Sequence, residues 1–181
     1  MKLKDPLESA VDQIAGLLAY WEPLFFPALA EAVGSQLSFD GIERAALTVA
    51  PGASLYSASL AAIRLWREPA IFVTAELGTK TDGTGLALRL QAVIPNEKSN
   101  SVDCRIRKNM RVPNDSVLSK AFADPLGTEW GANEDQSDWE VSGHGHLSAT
   151  PWRVQAIRRG PSVYGLLTPS NKQRTSRRNL Q

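Results

Sequence analysis

Cysteine is nearly absent from this chain, Cys104 being the only one among 181 residues. A single thiol excludes an internal disulfide and any zinc or iron–sulfur site built on several cysteines. A reducing compartment, the cytoplasm, is the setting this usage leads one to expect. Histidine is almost as scarce, with His144 and His146 alone. Long apolar runs are missing as well: nothing approaches the ~18 residues of a spanning helix, and the longest stretches are broken by Glu22, Pro23 and Pro27. The first residues contain Lys2 and Lys4 but continue into Glu8, Asp12 and Gln13, so neither a signal peptide nor contact with a membrane is expected.

Several familiar chemistries lack their signatures. There is no Gly-x-x-x-x-Gly-Lys-Ser/Thr, no Gly-x-Ser-x-Gly and no His-Glu-x-x-His. The glycines of Gly78–Gly85 lie between two expected strands rather than between a strand and a helix, which is the context a phosphate-cradling loop needs. No cofactor is implied, and Cys104 falls on the apolar side of its segment, a poor place for a nucleophile.

What is present is ordinary globular material. Hydrophobic residues make up 43% and charged residues 22%, enough apolar mass to exclude wholesale disorder. The length suits one domain with one core, expected over residues 1–168, followed by a basic tail, 169–181.

Helical signals come first. Asp5, Pro6 and Glu8 read as N-cap, first-turn proline and capping-box carboxylate. Leu7, Val11, Ile14, Leu18 and Trp21 then form one apolar stripe, which Glu22-Pro23 ends. A second helix is expected over Leu24–Val33 with Gly34 as its C-terminal cap, tolerating Pro27 only in its first turn. Leu37–Val49 is open between strand and helix. A third helix, Ser54–Arg67, ends before Pro69.

After Pro69 the apolar period shortens to two. Strands are expected over Ala70–Leu77, Gly85–Ile94, Val102–Val112, Trp139–Leu147, Trp152–Arg158 and Val163–Leu167, with a short helix at Asp115–Ala123 and an acidic loop at Asp124–Asp138. Helices followed by an antiparallel meander make an α+β fold, N-terminal helices packed on a curved, mainly antiparallel sheet. The order helix, helix, possible strand, helix, then strands resembles that of the NTF2-like (cystatin-like cone) folds, from which the helix near Asp115 departs. The resemblance implies a pocketed cone but selects no function, since such cones carry enzymes, immunity proteins and scaffolds.

Charge is unevenly placed although the net is only +1. Residues 141–181 hold seven basic side chains, Arg153, Arg158, Arg159, Lys172, Arg174, Arg177 and Arg178, and no acid, whereas all 19 acids precede them. Such polarity fits an acidic partner or complementarity between tail and body. The expected strand Val102–Val112 adds Asp103, Arg105, Arg107, Asn109 and Arg111 on one face, with Cys104, Ile106, Met110 and Val112 on the other and Lys108 interrupting the apolar side. On the preceding strand Leu86, Leu88, Leu90, Ala92 and Ile94 would face the core and Arg89 the basic side. If the two strands pair, these arginines make a cationic surface able to hold phosphates or carboxylates.

The segment Glu140–Ser148 is the second candidate. Strand alternation would align Glu140, Ser142, His144, His146 and Ser148, so His144 or His146 with Glu140 could serve acid–base chemistry or a zinc ion. No further histidine or cysteine supports a metal site, and none is expected. The reading this sequence favours is a non-enzymatic accessory subunit contacting nucleic acid or an acidic protein surface. An enzyme using His144 or His146 and a homodimeric scaffold joined through the Leu7–Trp21 stripe are the alternatives.

Overall fold

A computed structural model describes residues 19–79, 85–141 and 145–170. The Leu7–Trp21 helix expected from the sequence thus lies almost wholly outside the described residues. The chain divides into two compact units, residues 1–65 and 66–181.

The first unit is helical. Helix α1 spans Glu22–Val33, with Pro23 in its first turn and Gly34 at φ 58° closing it through an N–H to the Ala30 carbonyl. Glu22-Pro23 therefore opens this helix, because a proline at the second position gives up only an amide that has no helical acceptor anyway. Pro27 consequently sits past the first turn, inside the helix, contrary to the sequence expectation. Its buried face is Phe25 and Leu29, and Tyr20 meets Phe25 edge-on at 4.8 Å. The ambiguous stretch is a helix, α2, Phe39–Val49, begun by Ser38, whose hydroxyl accepts the Gly41 N–H at 3.1 Å. Phe39, Ile42, Ala45 and Ala46 line its buried face, the three-and-four spacing of an amphipathic helix. Arg44 ties α2 to α1 by donating to the Ala32 carbonyl at 2.7 Å. Helix α3 covers Leu55–Leu65 and buries a face of small residues, Ala58, Ser59, Ala61 and Ala62, beside Ile63.

The second unit is built on a five-stranded antiparallel sheet. Its strands are β1 (Ile71–Thr79), β2 (Leu86–Pro95), β3 (Trp130–Asp135), β6 (Pro151–Arg159) and β7 (Ser162–Pro169), in the order β2-β1-β7-β6-β3. Two-residue strands β4 (Glu140–Val141) and β5 (Gly145–His146) form a separate hairpin. Helix α4, Val117–Ala123, starts at Ser116, whose hydroxyl accepts from the Ser119 N–H. The class is α+β and the five-stranded sheet is open at β2 and β3, so the cone resemblance rests on element order alone.

One face of the sheet carries a continuous core. Ile71, Val73, Ala75, Leu88, Leu90, Trp152, Val154, Ala156, Val163 and Leu167 pack with Val117, Leu118 and Ala121 of α4. Full burial of each large member contributes roughly 1.5–3 kcal/mol. The expected alternation of Leu86 to Ile94 breaks at a bulge opposite Thr74/Ala75, where Ala75 pairs with Leu90 and Thr74 with Ala92. The extra residue flips the face, so Val93 rather than Ala92 or Ile94 packs on the core.

Two expected strands are corrected. Val102–Val112 is a turn-bearing segment, because Asn109 takes φ 69° and the Met110 N–H turns back to the Arg107 carbonyl. A left-handed residue ends strand progression. The acidic loop Asp124–Asp138, conversely, contains β3. Trp139–Leu147 is likewise broken into the β4–β5 hairpin, with 142–144 outside the described residues. A buried Asn96 joins β2 to the start of β1: its amide donates to the carbonyls of Trp66 and Glu68, and its carbonyl accepts the Ala70 and Ser99 N–H groups.

Candidate functional site

The segment following β2 returns along that strand's outer edge. Leu90 N–H donates to Met110 O at 3.0 Å, Asn109 N–H to Leu90 O at 2.8 Å and Val112 N–H to Leu88 O at 2.9 Å. Ile106, Met110 and Val112 are buried in the core, and Cys104 packs against it. The apolar side of the segment was therefore legible in the sequence, although the backbone is not a strand. Burial pushes the Cys104 thiol above its ordinary value, which keeps it protonated and unreactive at neutral pH.

The other side of the same segment is basic. Arg105, Arg107, Lys108 and Arg111 are exposed within seven residues. Lys108 interrupted the apolar side of the expected strand; the turn at residues 108–109 carries it out to solvent instead. Arg89 on β2 lies opposite Arg111, the two forming an isolated antiparallel bridge, and its guanidinium donates to Asn109 O at 2.8 Å. The turn is thus fixed from both sides: by backbone bonds to β2 and by the Arg89 side chain.

Its base is fixed by Gln136, which is buried. Its carbonyl oxygen accepts the Arg105 N–H at 3.2 Å, while its amide donates to Asp103 O at 3.0 Å and to Thr150 Oγ1 at 2.8 Å. Arg105 and Asp103 form an ion pair at 3.1 Å with both side chains more than half exposed. The Arg105 guanidinium, followed by the Ser148 hydroxyl, holds the Asp103 carboxyl below the usual carboxylate range. Arg111 donates to Asn114 Oδ1 at 3.1 Å. Among the described residues no carboxylate pairs with Arg107 or Lys108.

The arginines of β6 are employed differently. Arg158 donates to Phe122 O at 2.7 Å, stands over the Phe122 ring at 4.9 Å and reaches Gly160 O; Arg159 donates to Gly127 O at 3.4 Å. Arg158 thus holds the last turn of α4, and Arg159 the loop after it. Arg153 is exposed. The structure therefore brings Arg89, Arg105, Arg107 and Arg111 together and adds Lys108, but it separates them in role from Arg158 and Arg159. Lys172, Arg174, Arg177 and Arg178 lie outside the described residues.

No protein-family model matches this chain, and no curated protein matches it either. The site is consequently read from its own geometry.

The Glu140–Ser148 candidate holds two short antiparallel strands rather than one. Glu140 and His146 are backbone partners across the β4–β5 hairpin rather than neighbours on a common strand. His144 lies outside the described residues. Among the described residues no three His, Cys, Asp or Glu side chains converge as a metal site would require, and no helix is long and apolar enough to cross a membrane.

Three acids of the stretch 124–138 are engaged by nearby donors. Asp124 accepts from the Thr128 hydroxyl, the Trp130 indole N–H at 3.0 Å and the Leu126 N–H at 2.8 Å, and these donors, Thr128 first, lower its carboxyl to about 2. Asp135 accepts the N–H groups of Ser137 and Thr150, the former chiefly lowering its carboxyl. Glu134 reaches the Val117 N–H at the start of α4, and burial pushes its carboxyl up.

Proposed function

We propose that this protein is a non-enzymatic binding subunit that holds a phosphate-bearing polymer, nucleic acid being the representative, on the basic turn Arg105–Arg111. The observation that supports this reading is a turn that carries four exposed cations, three of them without a carboxylate partner among the described residues, on a backbone fixed to β2 and to Gln136. Cations on a pre-ordered turn lose less entropy on binding than cations on a free segment. Arginine forks suit phosphate oxygens, and displacement of counterions gives such contacts a steep salt dependence.

A turn of this size touches backbone and no ordered set of base edges, so binding is expected to be largely independent of sequence, with Kd of roughly 10⁻⁴ to 10⁻⁶ M at physiological salt. Fluorescence anisotropy with a labelled single-stranded oligonucleotide tests this on the full chain. Replacing Arg107 and Lys108 together by alanine is expected to weaken binding and to reduce the slope of log K against log salt by about 1.4, roughly 0.7 per lost contact. Arg153→Ala serves as control and is expected to do less. Absence of binding at low salt, or an equal loss with Arg153→Ala, would overturn the assignment to this turn.

A further inference from the structure

The four cations of the basic turn are not equivalent. Arg107, Lys108 and Arg111 have no carboxylate partner among the described residues, whereas Arg105 has one in Asp103. Asp103 is the one acid between residues 98 and 114. Asp103, Arg105 and Arg107 are exposed and alternate with the half-buried Cys104 and the buried Ile106, so the acid stands at the head of the same exposed row as the two arginines.

An ordinary surface ion pair contributes little, because both side chains give up freedom to make it and water screens the attraction. Here the acid is held independently of its partner. Arg105 Nε donates to Asp103 Oδ1 at 3.1 Å while the Ser148 hydroxyl donates to Oδ2, also at 3.1 Å, so both carboxylate oxygens are engaged. Behind them the buried Gln136 carboxamide donates to Asp103 O at 3.0 Å and accepts the Arg105 N–H at 3.2 Å, which sets the two residues side by side. The carboxylate is in place at Arg105 before any ligand arrives.

A carboxylate and a phosphate make the same demand on arginine, acceptor oxygens set against the guanidinium N–H groups. They compete. With Nε committed to Asp103, a phosphate at the remaining donors would stand beside a fixed negative charge, and the two would repel. Both side chains of the pair are more than half exposed, where a ligand meets them.

We propose, on the reading of this turn as a phosphate site, that Asp103 is an internal competitor for Arg105, withholding that arginine from the polymer so that Arg107, Lys108 and Arg111 carry the contact. Asp103 thereby limits the number of phosphate contacts and keeps binding weak and readily reversed. Loss of its charge releases a fourth cation.

The salt dependence of oligonucleotide binding counts phosphate contacts and so tests this. Fluorescence anisotropy with a labelled single-stranded oligonucleotide compares full-length wild type, Arg105→Ala, Asp103→Asn and the double variant. Arg105→Ala is expected to leave the slope of log K against log salt unchanged, weakening binding only through the Asp103 charge it leaves uncompensated. This arm needs no change at Asp103, so the test stands even where Asp103→Asn impairs folding. Asp103→Asn is expected to steepen the slope by roughly 0.7, the share of one contact to a single strand, and to tighten binding about fivefold at 0.1 M salt. The double variant is expected to return to the wild-type slope, because Asp103 acts through Arg105 and the two changes are then not additive. A slope lowered by about 0.7 in Arg105→Ala alone would show that this arginine holds phosphate beside Asp103, overturning the proposal while leaving the binding function intact. Equal steepening in Asp103→Asn and the double variant would overturn it too, by making Asp103 a general source of repulsion. Absence of binding at low salt by wild type and Asp103→Asn alike would overturn the function of the turn and this proposal with it.

Discussion

Gly165 of β7 and Leu118 of α4 occupy each other's only available space: a methyl group added at Gly165 would lie 2.8 Å from Leu118 Cδ2 and 2.7 Å from Val73 Cγ2. The helix rests on the sheet where the strand has no side chain. This contact lies within the core of the second unit, where α4 packs on the sheet through Val117, Leu118 and Ala121 with Phe122 beside them.

Gly165→Ala is therefore expected to destabilise the protein by about 1–3 kcal/mol through overpacking. Urea unfolding followed by circular dichroism measures it. Combining it with Leu118→Ala, which opens space on one side of the clash, should cost clearly less than the two single changes added together, since residues in contact couple. A strictly additive double variant would show that Gly165 is present for a reason other than the approach of α4.

Much of the fold was legible in local signals. Gly34 after a helical stretch and the period-two runs of β1, β6 and β7 report directly on backbone geometry, and each was read from a few neighbouring residues, whereas Ser38, a cap signal of the same kind, went unread and left Leu37–Val49 open between strand and helix. What escaped depended on partners distant in sequence. β3 has no apolar alternation because Trp130–Asn133 face solvent at the sheet's end, and its sequence Trp-Gly-Ala-Asn-Glu-Asp looks like loop. The segment 102–112 failed in the opposite sense. Its apolar residues alternate like a strand, yet they reach the core from a turn made possible by Asn109 in the left-handed region, which asparagine tolerates better than most residues. The basic segment was thus read with the wrong backbone, and Lys108, assigned to the core side by counting, is exposed beside Arg107.

Gln136 links that site to the body, and it allows rigidity to be separated from charge. Gln136→Leu removes the acceptor of the Arg105 N–H and the donor to Asp103 O and Thr150 Oγ1 without altering any cation. Leaving such groups unpaired costs about 1–3 kcal/mol, so the variant is expected to unfold at lower urea. If the order of the turn contributes to binding, oligonucleotide affinity falls as well while the salt slope is unchanged, because the number of phosphate contacts is the same. Reduced stability with unaltered affinity would mean that the three backbone bonds to β2 hold the turn without Gln136.

Glu134 provides a pH-dependent test of the packing between β3 and α4. Burial raises its carboxyl above the ordinary 4.5, Asp138 adds to the rise, and the Val117 N–H and Lys120 oppose it. A carboxyl raised on folding favours the native state when it is neutral. Its contribution is therefore fully present below the unfolded value near 4.5 and is lost as the pH climbs through the folded value. At neutral pH the charged form is held where burial penalises it. Glu134→Gln keeps a carbonyl oxygen to accept the Val117 N–H and removes the charge, so it is expected to raise Tm at pH 7 and to leave Tm nearly unchanged at pH 4, where the native glutamic acid is itself largely neutral. Differential scanning calorimetry at the two pH values gives the comparison. A lower Tm for Glu134→Gln at pH 7 would show that the attraction between a carboxylate and the N-terminal amides of α4 outweighs the cost of burying the charge, and would reverse the sign assigned here.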